Sequence, residues 1–296
     1  MAAISSLKTA LHGLKRNPVL FLGGLAVGLV TLPQLATQLA QVPILPQGMQ
    51  LVTFFVMPFV AAGLYGMADE ALADGTGRTE FSTLTGVGRE KYVPLLLAKI
   101  VELGIVIPFI IIFIFIAAAG VFTLGFGAVA TGSDLALGGG VLAIFLGVAV
   151  VTLLFILVMF FIQFFPVAIV VNDAGAIASF KQSYRLVRSN IVPTLGYSVI
   201  RLVTSLLVSL PVSGYILFRS FQNIQRLQET GGTPGAMQAG ASFSIPEIAT
   251  ISVISVATQM LLTTFLFTYA VAFFEAHHSG TTGPDIDGDS VIPEFQ

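Results

Sequence analysis

Cysteine is absent from the 296-residue chain, which excludes disulfides, thiol nucleophiles and thiolate metal sites. Charge is nearly absent as well. Asp, Glu, Lys and Arg make up 9% of the residues, against roughly 25% in an ordinary soluble domain. A chain so poor in charge cannot cover a soluble surface, which excludes a soluble enzyme. A net charge of −2 without a basic stretch excludes a nucleic-acid binder. What is present is apolar: 55% of residues are hydrophobic and the mean hydropathy is +0.94. The class is a polytopic membrane protein.

Apolar stretches fall at about 18–40, 49–68, 94–119, 140–171, 191–213 and 247–274. Crossing about 30 Å of hydrocarbon takes roughly 20 helical residues, so each qualifies as a span. The third and fourth exceed that length and must tilt or project. Pro33, Pro58, Pro108, Pro166 and Pro211 fall in or at the edges of these stretches, and kinks are expected rather than breaks. The first run follows Lys15 and Arg16 as a signal peptide would, but Pro33 interrupts it and no small-x-small site follows. It is therefore expected to remain as a span.

Basic residues near helix ends orient such a protein. Lys8, Lys15, Arg16, Arg78, Arg89, Lys91, Lys181, Arg185 and Arg188 fall on one side, and only Arg219 and Arg226 on the other. Both termini are expected in the cytoplasm, with the protein in the cell membrane.

A repeat runs through the chain. Ile4, Leu7, Leu11 and Leu14 recur at helical spacing beside Lys8, His12 and Lys15. Displaced by 173 residues, they fall on Ile177, Phe180, Tyr184 and Val187 beside Lys181, Arg185 and Arg188. Ser6/Ser179 and Asn17/Asn190 also match. A displacement of 99 places Phe81, Arg89 and Pro94 on Phe180, Arg188 and Pro193, although Thr85 and Gly88 interrupt that apolar stripe. The expected unit is an interfacial amphipathic helix followed by a two-helix hairpin, in units of about 1–73, 78–172 and 174–278. The fold expected is all-α, with six membrane helices in three hairpins forming one domain over 1–278. An acidic, disordered cytoplasmic tail is expected over 279–296. Lys8, Lys15, Lys181, Arg185 and Arg188 would reach anionic lipid.

The segment Ala176–Asn190 carries Phe180, Ser183, Tyr184, Leu186 and Val187 between two spans. It resembles an A-(F/L)-x-x-S-(Y/W)-x-L-(V/T) helix found between hairpins in prokaryotic multi-pass families. These include uncharacterised haloarchaeal families and the membrane domain of glycerophosphoryl diester phosphodiesterases. The resemblance implies a fold. No phosphodiesterase domain follows, so no catalysis comes with it.

Candidate chemistry is sparse. Glu275, His277 and His278 could ligate zinc, but they sit too close together to converge on one ion, and a helix end explains them. Asp285, Asp287 and Asp289 resemble the start of a calcium loop, yet Ser290 and Gln296 stand where glycine and glutamate are required. No phosphate loop, His-Glu-x-x-His or Gly-x-Ser-x-Gly occurs, so no cofactor and no enzyme activity are expected. Gly24 and Gly28 would let another helix of the same chain approach closely. Ser244 and Glu247 form a capping box at the start of the sixth span. Phe221–Leu227 is expected as an external helix.

Three charges fall within the spans: Lys99, Glu102 and Arg201. Arg201 lies about 15 Å into the fifth span at 1.5 Å per residue, where an exposed charge costs at least about 2.5–3.5 kcal/mol. The 99-residue displacement puts Glu102 in register with it. Lys99 would snorkel, leaving Glu102 to pair with Arg201. The leading expectation is a non-enzymatic scaffold, assembly or membrane-organising factor, with lipid and other membrane proteins as partners. The alternative is a small-solute transporter or permease with kinked helices around buried polar groups. The sequence leaves the oligomeric state open.

Overall fold

The computed structural model describes residues 2–73, 77–131, 134–229 and 243–278. They are all-helical, and six helices are long and apolar enough to cross a membrane. Helix α1 (Ala2–Arg16) lies before the first membrane hairpin, α2 (Leu20–Leu39) and α3 (Leu45–Leu72). The second hairpin is α4 (Phe81–Thr131) with α5 (Asp134–Ile162), continued by the short α6 (Phe165–Val171). Helix α7 (Ala176–Ser189) then leads to α8 (Ile191–Glu229) and α9 (Ile245–His278). Partners within each hairpin pack on one another, and α9 also packs on α1, α2 and α3.

Helices α1 and α7 and the α3–α4 link share one end of the bundle, called here the basic face. The α2–α3 link opens the opposite, far face. Buried side chains gather toward the basic face: Val60 to Leu72 on α3, Phe165 to Val170 on α6, and Tyr269 to Phe274 on α9. The far halves of α4, α5 and α8 expose their apolar side chains, as helices bathed in lipid do.

Small residues set the close contacts. A Cβ added at Gly24 would lie 2.4 Å from the Met260 carbonyl oxygen, and one at Gly28 would lie 3.2 Å from that of Val256. The Gly-x-x-x-Gly pair thus seats α2 on α9 within one molecule. Gly63 does the same for α3 against α4, where an added Cβ would lie 2.2 Å from the Leu84 carbonyl oxygen.

Pro166 breaks the fourth span where only a kink was expected. Its ring offers no N–H to the Ile162 carbonyl, and the chain turns at Gln163–Phe164 before α6 begins. Ser183 of α7 fills the gap: its hydroxyl donates to the Phe161 carbonyl at 2.8 Å and accepts from the Phe164 N–H at 3.0 Å. Pro33, Pro58, Pro94, Pro108 and Pro211 all stay inside continuous helices. Phe221–Leu227 is the continuation of α8 rather than a separate helix.

Helices α1 and α7 each present three faces. Inward lie Ala3, Ser6, Ala10 and Gly13 on α1, and Ser179, Ser183, Leu186 and Val187 on α7. Next come exposed apolar side chains, with Ile4, Leu11, Ile177 and Tyr184 between 44% and 67% exposed. Beyond them Lys8, Lys15, Lys181, Arg185 and Arg188 are exposed. Only part of the apolar stripe read from the sequence therefore packs inside the protein. Asn17 and Asn190 end the two helices alike, each donating its side-chain amide four residues back, to Gly13 at 3.2 Å and Leu186 at 3.0 Å. Asn17 also donates to the Gly77 carbonyl and accepts from the Thr79 N–H, tying α1 to the α3–α4 link. The middle unit has no separate helix of this kind, because α4 runs without interruption from Phe81.

At the start of α9 the Glu247 carboxylate accepts from both the N–H and the hydroxyl of Ser244 at 2.8 Å, and it pairs with Arg219 of α8. The tail with Asp285, Asp287 and Asp289 lies outside the described residues.

Candidate functional site

The fourth span's break and the packing of α8 on α9 leave a chamber of about 440 Å³ in the bundle. Lys99 and Glu102 of α4, Gln163 at the break, Tyr65 of α3, and Tyr197 and Arg201 of α8 line it. All three charges of the apolar stretches therefore face one space. The pairing differs from expectation. Lys99 Nζ donates to Glu102 Oε2 at 2.6 Å, so the carboxylate is taken by its own helix rather than by Arg201. The reason is proximity: residues three apart are neighbours on a helix surface, whereas Arg201 stands across the chamber on another helix. Lys99 also lies 5.4 Å from the centre of the Phe165 ring, a favourable cation–π geometry.

Arg201 and Tyr197 stand one turn apart on α8 and line the chamber together. Among the described residues no carboxylate lies within ion-pair distance of Arg201. Lys99 and Glu102 offset one another, so the chamber carries one uncompensated positive charge. Gln163 and Ser198 hydrogen-bond at 3.4 Å beside it, where the end of α5 meets α8. Toward the basic face an aromatic stack closes the chamber. Tyr197 packs on Tyr269 at 4.7 Å and on Phe273 at 4.9 Å, Phe164 on Phe273 at 5.3 Å, and Phe273 on His277 at 4.2 Å. Tyr269 is anchored by donating to the Ala3 carbonyl at 3.1 Å.

Tyr65, Gln163 and Tyr197 were not singled out from the sequence. Tyr197 carried a usable signal, since it lies one helical turn before Arg201 and shares its face. Tyr65 and Gln163 carried none, because they come from other helices.

The Glu275, His277 and His278 side chains diverge. Glu275 lies beside Asp69 of α3, His277 Nδ1 lies 2.7 Å from the Phe273 carbonyl oxygen, and His278 Nε2 lies 2.9 Å from Asn172 Nδ2. They do not face a common point.

A second cleft of about 420 Å³ lies at the basic face between α1 and the end of α3, where Lys8, His12 and Arg16 meet Ala71 and Leu72. Lys15, Lys181, Arg185 and Arg188 lie outside both the chamber and this cleft. Lys91 binds Asp173, joining α4 to the α6–α7 link.

No curated protein and no solved structure matches the chain. Residues 1–277 match the family described as a domain of unknown function (DUF7847), and the chain, whose described residues are all-helical with six membrane-length helices, belongs to that family.

Proposed function

We propose that the chain is a non-catalytic integral membrane protein of the cell membrane that binds a small anion in the chamber, as a permease or solute carrier does. The observation that carries this reading is Arg201, a guanidinium about 15 Å along α8 that lines the chamber beside Tyr197, with no carboxylate of the described residues within ion-pair distance. A charge at that depth is costly unless it faces water or a partner, and Arg presents a fork suited to carboxylate, sulfate or phosphate oxygens. Tyr65, Tyr197 and Gln163 add neutral hydrogen-bonding groups around the same space.

The experiment is thermal unfolding of the purified protein in mild detergent, titrated with acetate, sulfate or inorganic phosphate at constant ionic strength. One of these should raise Tm saturably. Arg201→Gln should weaken that effect about ten- to a hundredfold, the loss expected of one hydrogen bond to a charged group. Glu102→Gln should strengthen anion binding while lowering basal stability, because Lys99 then adds a second uncompensated charge. An anion response that survives Arg201→Gln overturns the reading.

The scaffold reading draws on another feature, the long apolar faces of α4, α5 and α8. These suit lipid and partner helices equally. A stable complex recovered after mild extraction, with no anion response, would favour it. On either reading the exposed apolar and basic faces of α1 and α7 belong at the cytoplasmic headgroup level, where each Lys or Arg contributes about 1 kcal/mol of attraction to anionic lipid.

A further inference from the structure

The chamber is one of three cavities linked by shared lining residues. It shares Lys99 with a cavity of about 330 Å³, which in turn shares Gln34 with one of about 220 Å³. The middle cavity follows one face of α3, from Gln50 near the far end through Thr53 to Ala61, with Tyr65 one turn further in the chamber. Gln50 to Tyr65 is about 22 Å at 1.5 Å per residue. The outer cavity lies between α2 and α9, lined by Gln34, Gln38 and Gln259.

Glutamines are out of place on a face bathed in hydrocarbon, because an amide without a partner there is expensive. The side-chain amides of Gln34, Gln38 and Gln50 make no hydrogen bond to the described residues. Gln34 lines both outer cavities, Gln38 one and Gln50 the other, where water or a solute can partner the amides. Toward the basic face the picture is the reverse. Phe164, Tyr269 and Phe273 have no exposed surface, and their stacked rings leave no comparable polar path.

We infer that the three cavities form a water-filled route from the far face to the Arg201 chamber. The occupant is then a small water-soluble anion arriving by that route, rather than an amphiphile entering sideways from lipid. The route stands on the cavities and the amides. The identity of its cargo as an anion rests on the proposed function above.

The absence of cysteine makes the test direct, since each introduced thiol is unique. Ala61→Cys, Gln34→Cys and Gln259→Cys would be placed in proteoliposomes, with Leu202→Cys as the lipid-facing reference at chamber depth (Leu202 is 59% exposed on α8). A charged, membrane-impermeant methanethiosulfonate is supplied on both sides, and unreacted thiol is counted by gel shift. Only a thiolate reacts, and a thiol held in hydrocarbon stays protonated, so the three route positions should react about tenfold faster than Leu202→Cys or more. Three positions on three helices keep the test open if one variant fails to fold. Reaction at the route positions with an anion response that ignores Arg201→Gln supports the route and removes the anion from it. An Arg201-dependent anion response with route thiols as slow as Leu202→Cys overturns the route and directs entry to the lipid side.

Discussion

Ser183 illustrates how one side chain can hold a membrane fold together. It reaches from α7 into the α5–α6 break and serves the Phe161 carbonyl and the Phe164 N–H together. Within hydrocarbon no water replaces such a partner, and each stranded backbone group costs about 1–3 kcal/mol. Ser183→Ala should therefore lower the detergent Tm clearly. Ser179→Ala, one turn earlier and equally buried, should change it little, because that hydroxyl bonds only to Ala176 of its own helix. Equal effects of the two variants in thermal unfolding would show that the bridge is not what stabilises the break. The serine was visible in the Ala176–Asn190 pattern, but its duty was not, since the groups it serves lie about twenty residues earlier.

At the level of elements, helix contacts are decided by what glycine leaves out. Gly24→Ala would force α2 off the Met260 carbonyl, whereas a Cβ at Gly48 meets nothing within 4 Å. The first variant should lose stability by roughly 1–3 kcal/mol, the usual cost of overpacking, and Gly48→Ala should keep the parent Tm. Circular-dichroism melts of both would decide it. Helix α7 offers a parallel contrast. Phe180 stacks on Phe165 at 4.5 Å and is half-buried, while Tyr184 is 44% exposed. Phe180→Ser should cost part of the roughly 1.5–3 kcal/mol expected for a buried Phe. Tyr184→Ser should cost less in detergent than Phe180→Ser, since it loses only a tilted ring contact with Phe161 at 5.2 Å. If Tyr184→Ser destabilises as much in detergent, the exposed stripe packs on protein instead of lipid. The periodicity of α1 and α7 was plain in the sequence. Which third of each helix turns inward was not, because much of the inward face is Ala, Ser and Gly, and only Leu14 and Val187 of the apolar stripe are buried with it.

For the molecule as a whole, the charge asymmetry argues that the basic face lies in the cytoplasm. Gly48, near the far end, and Ser82, at the start of α4, test it. Gly48→Cys should label from outside intact cells and Ser82→Cys should not. The reverse pattern would invert the orientation and, with it, the side from which the glutamine-lined route opens. The same asymmetry matters for the chamber, since the aromatic stack then lies on the cytoplasmic side and the open cavities on the outer side.

Composition and periodicity alone determined that the described residues are all-helical, that they include six membrane-length helices, and that Lys99, Glu102 and Arg201 fall within the apolar stretches. Those properties follow from the lengths of apolar runs and the solvent a bilayer provides, and each can be read locally. Tertiary structure alone decided that Arg201 stands across the chamber from Glu102, which leaves that carboxylate to Lys99, and that Ser183 of α7 holds the break at Pro166. It also decided which cavities share lining residues. Each of these depends on distances between residues far apart in the chain, and those distances are set by which small faces meet. A hydropathy pattern carries the depth of a side chain in the membrane. It does not carry the direction from which its partner comes.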